Sequence, residues 1–229
     1  MRTTLSATSL HSTRRPTEYY SASAAVRGCR PAVVRVLAPL GAAVLAVAFV
    51  AGIASAHDMS DHMAGAPVRS IRTYTVPAVN LVRDDGKLVS LADEMDDGRP
   101  VVLNFIFTTC TSICPLMSSV FSQFEHRLGD DAAKVHLMSI SIDPEQDTPA
   151  RLVEYARKFH AGPEWQHYTG TVDASVAAQR AFDVYRGGKM SHSAVTLIRP
   201  APGKPWLRIE GFVTPDDLVR DYHEQLAQR

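Results

Sequence analysis

Apolar positions along this chain change their spacing several times, and each change marks an expected element. Residues 36–56, from Val36 to Ala56, are uncharged and almost wholly apolar, with no polar face. Residues 57–70 are small and polar and read as a linker. Val76–Val82, followed by Asp85-Gly86 as a turn, predicts a first strand and hairpin. Val101–Phe107 is a nearly continuous apolar run, as in a strand buried on both faces, and Val135–Ile142 repeats the pattern. Between them Met117, Val120, Phe121, Phe124 and Leu128 recur at helical spacing, with Pro115 suited to the helix start. Asp147-Thr148-Pro149 opens a second helix that turns Leu152, Tyr155, Ala156 and Phe159 to one side, and Val172–Tyr185 reads as a third. Ser193–Ile198 and Leu207–Phe212 read as a strand pair joined by the Pro/Gly-rich residues 200–205. Thr214 caps a last helix that ends near Gln228.

Strand, helix, strand, helix, then two strands and a helix is the thioredoxin order. The expected fold is therefore α/β, a thioredoxin-like central sheet flanked by helices with an N-terminal hairpin extension, over residues 71–229. Charge explains what precedes it. The chain carries 24 basic and 24 acidic side chains, which gives no global basic charge and argues against nucleic acid as a partner. The balance is uneven, with six arginines against Glu18 alone in residues 1–35. A basic arm, an apolar stretch about 30 Å long as a helix and an acidic remainder form an export layout. The positive-inside rule puts the arm (1–35) in the cytoplasm and the domain on the periplasmic side of the inner membrane. Residues 36–56 serve as membrane anchor or as signal peptide, and Ala54-Ser-Ala56 suits signal peptidase.

Of three cysteines, Cys29 lies in the basic arm, so only Cys110 and Cys114 reach the exported domain. A domain of about 160 residues buries enough surface to fold without staples, which turns attention from scaffolding to chemistry. Placed between a buried strand and a helix start, the two cysteines lie one helical turn apart, with Cβ atoms about 5–6 Å from each other. Such a pair can share a metal ion or close as a disulfide, and a helix N-terminus favours the thiolate that both reactions need. Two soft thiolates select Cu(I), or Zn(II) with further ligands. The Cys-x3-Cys spacing differs from the Cys-x2-Cys of most disulfide oxidoreductases, and Arg186–His192 holds no proline where thioredoxins place theirs. His192 stands there instead, on a loop that this topology carries over the dithiol. An imidazole in that place completes a set of two sulfurs and one nitrogen.

Phe105-x4-Cys110-x3-Cys114-Pro115, then Ser139-Ile-Ser-Ile-Asp143-Pro-Glu-x-Asp147-Thr-Pro149, then His192-Ser193 before a strand, together resemble the Sco family (SenC/PrrC type). The resemblance implies copper, Cu(I) or Cu(II), held by Cys110, Cys114 and His192. It also implies a tethered assembly factor, or copper chaperone, rather than a turnover enzyme. Its partner would be the cytochrome c oxidase subunit that carries the dinuclear copper site, or another copper protein. Two departures stand out. Thr111-Ser112-Ile113 replaces the family's usual residues between the cysteines, and Ser191 replaces an aspartate before the histidine. Two other readings stay open: a thiol–disulfide oxidoreductase that reduces the cysteines of an apo copper site, with Cys110 and Cys114 as the redox pair, and a redox or copper sensor. His57-Asp-Met59-Ser-Asp-His62-Met63 adds imidazole and thioether donors in the linker, either as a solvated segment or as an accessory capture tail.

Overall fold

The computed structural model describes residues 65–228. The expected arm, the anchor or signal segment and most of the linker lie outside these residues. Among the described residues no helix is long and apolar enough to cross a membrane.

One eight-stranded sheet organises the domain. Its strands are β1 (Val68–Arg72), β2 (Asn80–Arg83), β3 (Leu88–Ser90), β4 (Val101–Ile106), β5 (His136–Ser141), β6 (Trp165–Thr169), β7 (Val195–Arg199) and β8 (Trp206–Glu210). They lie in the order β1-β8-β7-β4-β5-β6-β2-β3. The central β4, β5 and β6 run parallel, whereas β7 is antiparallel to β4 and β8 to β7. β2 and β3 form the expected hairpin, which joins the sheet along β6. The helices are α1 (Leu91–Met95), α2 (Ile113–Leu128), α3 (Pro149–Lys158), α4 (Val172–Ala181) and α5 (Pro215–Leu226). This is the thioredoxin-like arrangement expected from the sequence.

Every residue of β4 and β5 is buried, because both faces of the sheet are covered. Val101, Leu103 and Phe105 alternate onto one face, where they join Met138, Ile140, Phe182, Trp206 and the small residues Ala174 and Ala178 of α4. Val102 points the other way, among Val120, Phe121 and Phe124 of α2 and Leu218 and Tyr222 of α5. Local chemistry fixes the helix starts. Thr148, Thr171 and Thr214 each accept, through the side chain, the backbone N–H three residues on.

Four expectations are corrected. The linker gives way to strand at Val68, because β1 pairs along β8. Its side chains are mostly exposed, so an edge strand here carries no apolar pattern. The first strand of the hairpin begins at Asn80 rather than Val76. Pro77 has no N–H to give a ladder, and Val76 and Val79 instead pack against the core. The third helix stops at Ala181, and Asp183 takes a left-handed φ of 52°. β6 was absent from the expected order altogether.

Candidate metal centre

The buried strand β4 ends at Ile106 and delivers a short loop to α2. Cys110 N–H donates to the Phe107 carbonyl at 3.1 Å, which curls the loop so that Cys110 precedes the helix. Ser112, the residue that caps α2 in sequence, makes no side-chain capping bond. The Cys110 sulfur takes that place, accepting the N–H of Cys114 at 3.4 Å with the Ser112 hydroxyl 3.9 Å away.

The two thiols, both free, therefore differ. Cys110 is partly exposed. Burial acts to raise its pKa, but backbone N–H groups of Cys114 and Ser112 pointing at the sulfur outweigh it, and the net shift is downward. Cys114 is wholly buried beside Ile106, Phe107, Leu152 and Tyr155. Burial pushes its thiol well up, and the neighbouring Cys110 and Asp147 act in the same direction.

His192 follows a single 3-10 turn, Lys189–Ser191, and its ring is buried. Nε2 lies 2.9 Å from the Phe105 carbonyl. A carbonyl only accepts, so Nε2 carries the proton, and the neutral imidazole keeps its lone pair on Nδ1. Burial lowers the pKa of this histidine and favours that neutral, ligand-competent form. The ring stands nearly edge-on to Phe107, with centroids 6.4 Å apart. Cys110 and His192 line one cavity of about 120 Å³ together with Phe107, Lys189 and Met190. The expected third member, Cys114, lies behind Cys110 rather than in the cavity wall. Among the described residues no three His, Cys, Asp or Glu side chains are already gathered at metal-ligand spacing. The donor set is chemically apt for a soft ion, with two sulfurs one helical turn apart and an imidazole brought in by a loop.

Supporting residues came less clearly from the sequence. Asp147, expected only to open a helix, is fully buried and turns back to the dithiol loop. Both its oxygens accept the Thr108 N–H, at 3.1 and 3.2 Å, while the hydroxyls of Thr108 and Ser141 each donate to it at 2.6 Å. Asp143 pairs with Lys189 at 2.5 Å and so ties the β5–α3 loop to the turn before His192. The four-residue spacing of Asp143 and Asp147 after a buried strand was the available signal. Among the described residues no other histidine lines this cavity; His136 is hydrogen-bonded inside the sheet and His167 is buried beside Trp165.

Known proteins share this architecture. The SCO1 protein homolog of Bacillus subtilis is 32% identical over 107 residues, covering 46% of this chain and 54% of that protein. This chain therefore spans about half the length of that relative. The structure of Arabidopsis thaliana ScoI with copper bound is 26% identical, with a TM-score of 0.57, over 67% of this chain and 99% of that one. BsSco, described as having a disulfide switch and as a member of the Sco family of cytochrome c oxidase assembly proteins, is 24% identical with a TM-score of 0.58 over 71% of this chain and 99% of that one, a likeness of fold. The SCO1/SenC family model matches residues 71–226, which cover the whole sheet beyond β1 and all three candidate ligands, and the chain belongs to the SCO1/SenC family.

Proposed function

We propose that this protein is a copper-binding assembly factor that receives copper at Cys110, Cys114 and His192 and contributes it to the copper centre of cytochrome c oxidase. One observation carries the reading: Cys110, the outer thiol of a dithiol at a helix start, and a neutral, buried histidine from a distant loop line one small cavity. Two thiolates suit Cu(I), and an imidazole extends the set toward Cu(II). The copper-bound state of Arabidopsis ScoI supports copper as the cargo. The family resemblance supports the oxidase as its destination, with the domain held on the periplasmic side of the inner membrane by residues 36–56 or exported through them.

The reduced chain is expected to bind one Cu(I) in anaerobic titration against a chromophoric chelator. Cys110→Ser and Cys114→Ser each exchange a soft donor for a hard one and abolish tight binding. Full affinity in either single variant excludes the assignment. His192→Ala is expected to keep a Cu(I) form while the Cu(II)–thiolate absorption band and its paramagnetic resonance are lost or reshaped. Because Ser191 stands where a carboxylate is usual, the wild-type Cu(II) form is expected to be less long-lived than is typical of the family.

The second reading, thiol–disulfide exchange, has its own support in the inequality of the thiols. An accessible cysteine that favours thiolate, backed by a buried partner, is the pattern of an attacking and a resolving thiol. Exchange at the wild-type rate by a His192→Ala variant that also binds copper no differently would establish it in place of the first.

A further inference from the structure

Met190 has the highest exposure, 85%, among the exposed large hydrophobic side chains of the described residues, and it lines the same cavity as Cys110 and His192. A single exposed apolar side chain is ordinary on a surface. A thioether at a cavity with a thiol and an imidazole in its wall is a soft donor beside two others. Its position is fixed rather than incidental. Met190 is the middle residue of the Lys189–Ser191 turn, reached through Gly187 at φ 83°, a backbone that side chains rarely adopt. The turn is closed by Ser191 N–H on the Gly188 carbonyl and His192 N–H on that of Lys189. It is held down by the Lys189–Asp143 pair at 2.5 Å, with the Lys189 ammonium 5.8 Å from the centre of the Phe107 ring. The pair with Asp143 also offsets a positive charge that would oppose an arriving cation. The same turn thus aims Met190 outward and His192 inward.

The inner site is poor at capture. Cys114 is wholly buried and His192 is buried, so an ion still held by its carrier meets Cys110 alone. Ligand exchange on Cu(I) proceeds by one donor arriving as another leaves, and an accessible outer donor shortens that path.

We propose that Met190 is the receiving ligand for Cu(I): its thioether takes the ion from a carrier with soft sulfur or nitrogen donors at the cavity mouth and passes it to Cys110 and Cys114. This inference rests on the copper reading above. In the first exchange a Cu–Sδ bond to Met190 forms as one carrier bond breaks. In the second, two Cu–Sγ bonds form, the thiol protons leave to water, and the remaining carrier bonds and then the Met190 bond break, releasing the free carrier. Copper stays Cu(I) throughout, and nothing is oxidised or reduced.

The test is anaerobic stopped-flow transfer of Cu(I) from its bis-bicinchoninate complex to the full, reduced chain in detergent, comparing wild type, Met190→Leu and Met190→Ala. Leucine keeps the apolar bulk and removes the sulfur, so both variants are expected to take up Cu(I) about tenfold more slowly, equivalent to about 1.4 kcal/mol on the barrier. Wild-type speed in Met190→Leu with slow uptake in Met190→Ala identifies an apolar contact and overturns the proposal. Wild-type speed in both overturns it as well. A wild-type chain that takes up no Cu(I) refutes the copper reading itself, and with it this inference, so the two failures are distinguishable.

Discussion

Asp147 shows how one side chain can hold a reactive loop without touching its sulfur atoms. It is fully buried and accepts from the Thr108 N–H, the Thr108 hydroxyl and the Ser141 hydroxyl. Ser141 in turn accepts the Asp143 N–H at 3.0 Å, so strand β5, the loop behind it and the dithiol loop meet on one carboxylate. Asp147→Ala strands these donors in a buried place, and each unsatisfied group costs about 1–3 kcal/mol. The variant is expected to lose roughly 3 kcal/mol or more of unfolding free energy in urea, with Asp147→Asn losing less because it keeps one oxygen. Faster hydrogen exchange at Thr108 should accompany the loss. A midpoint unchanged in Asp147→Ala would remove the residue from this role. Its spacing from Asp143 marks it in the sequence, but its partners do not show there, being a backbone N–H and two small hydroxyls from other parts of the chain.

At the scale of the element, α2 begins on a sulfur. The Cys110 Sγ accepts the Cys114 N–H where a Ser or Asp oxygen usually sits, and Ser112 supplies no such bond. Cys110→Ala removes the acceptor and is expected to cost the reduced, metal-free chain about 0.5–1 kcal/mol. Cys110→Ser replaces it with oxygen and should stay near wild type in the same urea titration, although its copper binding is lost. Equal stability of the two variants would show that the sulfur caps nothing. Other elements differed in how far their sequences declared them. Strands β4 and β5 read correctly because burial on both faces writes an apolar run. β6, Trp165-Gln166-His167-Tyr168-Thr169, was missed because its buried positions are polar or aromatic. Two of them find partners: Trp165 Nε1 donates to Ser139 Oγ at 2.8 Å, and the Tyr168 hydroxyl donates to Glu94 Oε2 at 2.7 Å. β1 escaped notice for the opposite reason, since an exposed edge needs no hydrophobic face. At the site, the thioredoxin order led to the expectation of His192 beside the dithiol, and the structure brings it to one cavity with Cys110. The deep burial of Cys114 was not legible, because it depends on Leu152 and Tyr155 of α3 closing over the sulfur from another part of the chain.

For the whole molecule, two apolar layers packed on the sheet are expected to let the domain fold without metal, which makes acid the variable to test. His136 is almost fully buried between α1 and β6, with Nδ1 3.0 Å from the Glu94 carbonyl and Nε2 2.9 Å from the Tyr168 hydroxyl. Burial lowers its pKa from the ordinary value of 6.5, and Arg99 lowers it further, against the opposing pull of Asp97, Gln166 and Glu94. The sign of the linkage follows. Unfolded His136 takes its proton near pH 6.5 while the folded one resists, so below that pH the unfolded state binds more protons and gains. The stability held above pH 6.5 is lost progressively as pH falls toward the folded value. His192 shifts in the same direction, and Glu125, whose carboxyl is raised by burial, gives the opposite slope. Both are present equally in wild type and in His136→Gln, so the difference between the two chains isolates His136. Urea unfolding of the metal-free protein at pH 7.5 and pH 5.5 should show wild type losing more stability on acidification than His136→Gln. Parallel losses, or a larger loss in the variant, would mean that the imidazole is already protonated in the fold and that the Asp97 side of the balance, not burial, governs it.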